Sequence, residues 1–187
     1  FSDPYNFNAL ALEQLLDISG YPAAKLNRRT QWSNSSSPTE VKNQIKPNVD
    51  LGIALNSTIS GGTINLDVKI KFVSNFSDLK LVVYVLEDGL IYNQVNATSY
   101  FNGQNPIVNF EHNHVLRACL TDLVNGDALI GTNAGAIVTK NFTVPVPANI
   151  ANVSNMSFVA FVMDASGNAI NVRGSEPNIN QSFEINP

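Results

Sequence analysis

The spacing of apolar and polar residues changes its period once along the chain. In residues 6–19, NFNALALEQLLDIS, Phe7, Leu10, Ala11, Leu15 and Ile18 recur at helical spacing, with Glu13, Gln14 and Asp17 on the other side. This predicts an amphipathic helix ended by Gly20. GYPAAKLNRR then reads as a turn into a short strand, because the residue before Pro22 is biased to extended backbone. WSNSSSPTEVKNQIKPN starts as a Ser-rich linker. Ser37 and Glu40 have capping-box spacing and Pro38 takes the first helical position, which predicts a short helix that stops before Pro47.

From Val49 onward the period is two. VDLGIALNSTI and TINLDVKIKFV alternate apolar and polar residues and are joined by the tight turn in ISGGT, which predicts a hairpin. LKLVVYVLEDGLIYNQV adds an apolar run buried on both faces, with a turn at Glu87, Asp88 and Gly89. PIVNFEHNHVLRACL, AIVTKNFTVPVP, MSFVAFVMDASGNAINV and INQSFEI supply the remaining strands, separated by turn signals. Seven or more strands without long helices between them predict a mainly β fold, an immunoglobulin-like antiparallel β-sandwich over 49–187.

Composition narrows the partners. Hydrophobic residues make up 44% of the 187, charged residues 14%, and the net charge is −4. A chain of this kind folds rather than staying disordered, and its polarity rests on Asn, Ser and Thr. With no basic field to displace phosphate counterions, nucleic acid is excluded as a partner and an anionic membrane surface is disfavoured. No apolar run approaches the ~18 residues that a membrane-spanning helix needs. FSDPYNFNAL lacks the order of a signal peptide. A lone cysteine forms neither an internal disulfide nor a Cys-x-x-Cys pair. Asn-x-Ser/Thr sequons begin at Asn34, Asn56, Asn75, Asn96, Asn141, Asn152, Asn155 and Asn180, a number expected by chance in a chain this rich in those residues.

Candidate chemistry gathers in NFEHNHVLRACL, residues 109–120, which hold both histidines and the cysteine. Read as one strand, the stretch sends Phe110, His112, His114, Leu116 and Ala118 to one face and Glu111, Asn113, Val115, Arg117 and Cys119 to the other. Cys119 then points away from both imidazoles. His112 and His114 could chelate a metal if Glu87, Asp88, Asp122 or Asp127 supplied a third ligand. Hydrogen-bonded structural histidines are the preferred reading, since zinc sites use three or four protein ligands. Cys119 beside Leu120 reads as a small buried hydrophobe, and Arg117 is free to pair with Glu111 or a neighbouring strand.

Elsewhere, DASGNAIN at 164–171 imitates a calcium loop, but Ala169 replaces the expected Gly and Ser175 the bidentate Glu, so a hairpin turn is expected. Glu87 and Asp88 read as turn chemistry, because neighbours on a strand face opposite ways. No phosphate loop or Gly-x-Ser-x-Gly elbow occurs. The residues therefore predict no catalytic group and no cofactor, and place binding on loops around 102–105, 125–133 and 168–178.

Three segments, GYPAAKLNR, LVVYVLEDGLIYNQ and above all HNHVLR, resemble the Omp28-related outer membrane lipoproteins of Bacteroidetes-type bacteria. The resemblance implies a thioredoxin-like domain followed by a β-sandwich. Residues 1–32 would be the C-terminal remnant of the former, with Pro22 as its candidate cis-proline, 33–48 a linker with a short helix, and 49–187 the sandwich. It also implies that a Cys-x-x-Cys pair, a signal peptide and a lipid-bearing cysteine would lie before Phe1. Membrane association would then run only through that upstream anchor. The implied location is the outer membrane or cell surface, with HNHVLR, Arg117 included, as a structural signature. The expected function is a non-enzymatic envelope protein that binds a protein or glycan. The alternatives are a thiol-disulfide protein whose reactive part lies upstream, or a metal site at His112 and His114.

Overall fold

The computed structural model describes residues 3–33, 37–45 and 50–184. The sequon at Asn34, the helix stop at Pro47 and the strand start at Val49 lie outside the described residues. The chain begins with α1 (Leu10–Leu15), the short ribbon of β1 (Lys25–Leu26) and β2 (Thr30–Gln31), and α2 (Thr39–Lys42). Strands follow: β3 (Leu51–Ser60), β4 (Thr63–Phe72), β5 (Lys80–Glu87), β6 (Leu90–Gln94), β7 (Ile107–His112) and β8 (Val115–Cys119). The last are β9 (Asp127–Ala128), β10 (Ile137–Pro145), β11 (Met156–Met163) and β12 (Ala169–Ser175). The fold is mainly β, and its pairings are antiparallel.

One sheet has the order β10-β4-β3. A larger one runs β12-β11-β5-β8, with β9 paired to the start of β5. β6 and β7 pair only with each other among the described strands. The hairpin of β3 and β4 turns through Gly61 and Gly62, at φ +56° and +75°. Two successive left-handed residues match the strand twist, and glycine adopts them without a Cβ clash.

Alternation builds the core. Leu51, Ile53 and Leu55 of β3 and Ile64 to Phe72, every second residue of β4, belong to one buried cluster with Leu81, Val83 and Val85 of β5 and Met156, Phe158, Ala160 and Val162 of β11. Both sheets thus share one apolar interior, where each such side chain is worth about 1.5–3 kcal/mol of transfer free energy. The other face of β5 explains its uninterrupted apolar run. Val82, Phe161 and Met163 form a second, smaller cluster with Tyr84 and Cys119. Arg28 caps it: the guanidinium lies 5.5 Å from the Phe161 ring centre and donates to Met163 Sδ at 3.2 Å and the Val124 carbonyl at 3.0 Å.

Several expectations need correction. The N-terminal helix extends only over Leu10–Leu15, followed by left-handed Asp17, and none of its residues is buried. No packing partner among the described residues lengthens it, and propensity alone rarely sustains a helix this short. Ser37 Oγ accepts from the Thr39 amide, but Glu40 reaches the Ser33 amide instead of closing a box on Ser37. Of INQSFEI, the described residues 179–184 form an isolated bridge, Asn56 to Asn180, rather than a strand. The backbone bonds of Ser57 N–H to the Ile179 carbonyl and Gln181 N–H to the Leu55 carbonyl are supplemented by amide side chains: Gln181 Oε1 accepts from the Leu55 amide and Asn178 Oδ1 from the Ile59 amide. Together with Arg173 and Asn171, which donate to the Ile53 and Leu51 carbonyls, they cover the free edge of β3. The supposed loop at 168–178 is mostly strand β12.

Candidate functional site: an aromatic arm and its base

From Gly89 to Phe110 the sequence contains no Asp, Glu, Lys or Arg. That interval holds β6, the tip and β7 as far as Phe110, in an arm outside both main sheets whose one acidic side chain, the exposed Glu111, follows directly in β7. Asn96 organises the tip. Its Nδ2 donates to the carbonyls of Tyr100 (2.8 Å) and Gln104 (3.0 Å), and its Oδ1 accepts from the Thr98 amide (2.9 Å) and hydroxyl (2.6 Å). Asn105 Oδ1 accepts in turn from the Asn96 amide. With its amide engaged in this way and the residue buried, Asn96 serves as the centre of the tip.

This scaffold presents aromatic rings outward. Tyr100 is 72% exposed and Phe101 58%, and both Phe101 and Asn102 sit at φ +55°. A left-handed Phe is uncommon, and surrounding contacts must hold it there. The rings continue down the arm. Phe101 meets Phe110 edge-on at 6.0 Å, Phe110 meets His112 at 5.0 Å, and Tyr5 touches both His112 and Tyr92. β-Pairing sets Tyr92 directly opposite Phe110. Beside the rings lies an open cleft of about 220 Å³ lined by Asp3, Tyr92, Asn93, Gln94, Val95 and His112. His112 Nε2 is shielded and has no hydrogen-bond partner among the described residues.

Two interlocked turns root the arm. Gly89 donates its amide to Asn113 Oδ1 at 2.7 Å, and His114 donates its amide to Asp88 Oδ1. The turn after β5 and the turn after β7 therefore cap each other. Asn155 adds a third contact, donating to the Asp88 carbonyl and accepting from its amide. Glu87, expected in a turn, is instead the last core-facing residue of β5 and fully buried. Its Oε1 accepts from the amides of Ala151 and Asn152 at 2.8 and 2.7 Å. Its Oε2 lies 3.2 Å from Arg117 Nε, a close ion pair in which neither of these two atoms makes an aligned hydrogen bond. Arg117 also donates to the carbonyls of Asn149 and Tyr5, and its guanidinium lies 5.5 Å from the Tyr5 ring centre.

The single strand expected over residues 109–120 is two, broken at Asn113 and at left-handed His114. A register shift follows: Val85 pairs with Ala118 and Leu86 with Leu116, leaving Arg117 as the extra residue. Such a bulge re-aims a side chain, and Arg117 turns to Glu87 instead of sharing a face with Cys119. Cys119 lies in the outer cluster, its Sγ 3.5 Å from Thr121 Oγ1. His112 is half-buried in the ring row, whereas the His114 side chain is 78% exposed with Nδ1 4.0 Å from Asp88. The two imidazoles thus have separate surroundings. Among the described residues no group of three His, Cys, Asp or Glu side chains could hold a metal ion.

The remaining candidates are local. Asp164 accepts from the amides of Ser166 and Asn168 and from the Asn168 side chain, which closes its own turn. Asp122 does the same with Val124 and Asn125. The Tyr21–Pro22 bond is cis, as is Asn105–Pro106. Sequence reasoning missed Glu87 and Asn96; the absence of charge from 89 to 110 was the signal available for the arm.

No helix among the described residues is long and apolar enough to cross a membrane. No curated protein matches the chain. Among solved structures, HBP35 of Porphyromonas gingivalis is similar at 22% identity and a TM-score of 0.59, covering 95% of this chain and 61% of that one. At this identity the likeness concerns the fold, and the chain spans 61% of that protein's structure. A domain of the outer membrane lipoprotein Omp28 from the same organism matches at 20% identity and a TM-score of 0.45, covering 70% of this chain and 97% of that one. The family described as outer membrane protein Omp28 matches residues 9–181, and the chain belongs to this family of outer membrane proteins.

Proposed function

We propose that the chain is a non-catalytic binding module of the cell envelope, and that the arm of β6 and β7 is its binding surface. The observation that carries this reading is the tip, where Asn96 fixes the loop while the rings of Tyr100 and Phe101 stay exposed. A surface that is already ordered loses little entropy on binding, and exposed rings on a fixed frame mark recognition sites. On this reading the two-sheet body is an immunoglobulin-like support whose buried Glu87–Arg117 pair and interlocked turns hold the arm. The division into a thioredoxin-like remnant over 1–32, a linker over 33–48 and a sandwich over 49–187 belongs to the same proposal. It is supported by α1, whose Leu10 and Leu15 remain uncovered.

Hydrogen exchange of the purified protein with and without outer-membrane fragments tests the assignment. Binding should slow exchange over residues 95–110 and leave β4 and β10 unchanged. Protection confined to β4 and β10 would move the binding surface elsewhere.

A further inference from the structure

We infer that the arm binds a neutral glycan, an inference that rests on the arm being the binding surface. Four kinds of occupant can be weighed against its chemistry. Nucleic acids and acidic peptides require cations, and no Lys or Arg lies between Gly89 and Phe110. A protein interface is enriched in Met and Arg as well as in aromatic residues, and residues 89–110 contain neither. A lipid surface accepts Tyr and Phe, but Asn102 and Gln104 flank the rings, and taking their amides into hydrocarbon unpaired costs several kcal/mol. A neutral sugar satisfies each feature. Its C–H faces lie against the electron-rich faces of Tyr100 and Phe101. Its hydroxyls both donate and accept, as do primary amides.

The cleft extends the same chemistry. Asn93 and Gln94 supply amides beside the Tyr92 and His112 rings, and Asp3 adds carboxylate oxygens that accept from hydroxyls. The row of Phe101, Phe110, His112, Tyr5 and Tyr92 joins the tip to this cleft, which suits an extended saccharide more than a single ring. Because the saccharide itself carries no charge, binding should be insensitive to salt even with Asp3 in the cleft.

The test measures binding of the parent protein and of Y100A/F101A to outer-membrane fragments that are untreated, oxidised with periodate, which cleaves vicinal diols of sugars, or digested with protease. Both side chains are exposed, so the variant should unfold at the parent's temperature. The expected result is binding that periodate abolishes, that added sodium chloride leaves unchanged, and that the variant weakens at least about tenfold. Binding that survives periodate overturns the glycan assignment while leaving the arm as binding surface. Loss to protease would then identify a protein partner, and survival of both treatments a lipid surface. Equal binding by parent and variant, or none by either, overturns the arm reading as well.

Discussion

Glu87 shows how much one side chain can decide. Its carboxylate joins three pieces of chain: β5, the Arg117 bulge of β8 and the amides of Ala151 and Asn152. Burying two charges is costly, and the pair is tolerable because further hydrogen bonds compensate. Arg117→Ala, which leaves a carboxylate unpaired in the interior, should destabilise the protein by about 3–5 kcal/mol in urea unfolding. Glu87→Gln keeps an acceptor for the two amides and should cost less than Glu87→Leu. The reverse order would mean that the amide contacts contribute nothing. Asp164 titrates in a different setting. Desolvation opposes its charge, but hydrogen bonds from Asn168 and Ser166, together with nearby Arg29, outweigh that and hold the carboxyl below its usual range. A depressed folded pKa contributes stability that is present above the unfolded value, about 3.9, and is lost as pH falls through the folded one. The stability difference between parent and Asp164→Asn should therefore be constant near neutrality and shrink below about pH 4.

At the scale of elements, the arm depends on contacts that bring together residues far apart in sequence. Gly89 sits at φ +69°, and a Cβ there would approach Asn155 Nδ2 to 3.1 Å. Gly89→Ala should cost about 1–2 kcal/mol through backbone strain and the displaced Asn155 contact, measurable by urea unfolding. Asn96→Ala should speed hydrogen exchange across 98–105 while leaving β4 and β11 protected. The strands themselves were legible from their patterning: β4 follows its alternation closely, whereas β3 opens with five consecutive buried residues and β11 closes with four. The break at Asn113 and His114 was not. Nothing within HNHVLR marks it, because the turn is fixed by Asp88 and Gly89 some two dozen positions earlier. The bulge at Arg117 was hidden for the same reason, since register belongs to a pair of strands and not to either alone. α1 failed in the opposite way: its pattern promised a buried face, yet none of its residues is buried.

For the whole molecule, one core under two sheets supports a projecting arm of different chemistry. The body is held by residues such as Phe158, fully buried in the shared interior, and Phe158→Ala should cost about 3–5 kcal/mol. The arm carries exposed rings on a tip without charge, a combination that a purely structural hairpin does not require. Membership of an outer membrane protein family puts this surface in the cell envelope. The body's architecture could be read from period-two patterning, whereas the arm's cleft could not, because Asp3, Gln94 and His112 meet only after folding. The central claim is that recognition resides in the arm and not in the body. Its most direct test is the affinity of Y100A/F101A for outer-membrane fragments, compared with the parent at matched thermal stability. The structure predicts a loss of at least about tenfold with unchanged unfolding; equal affinity would contradict it.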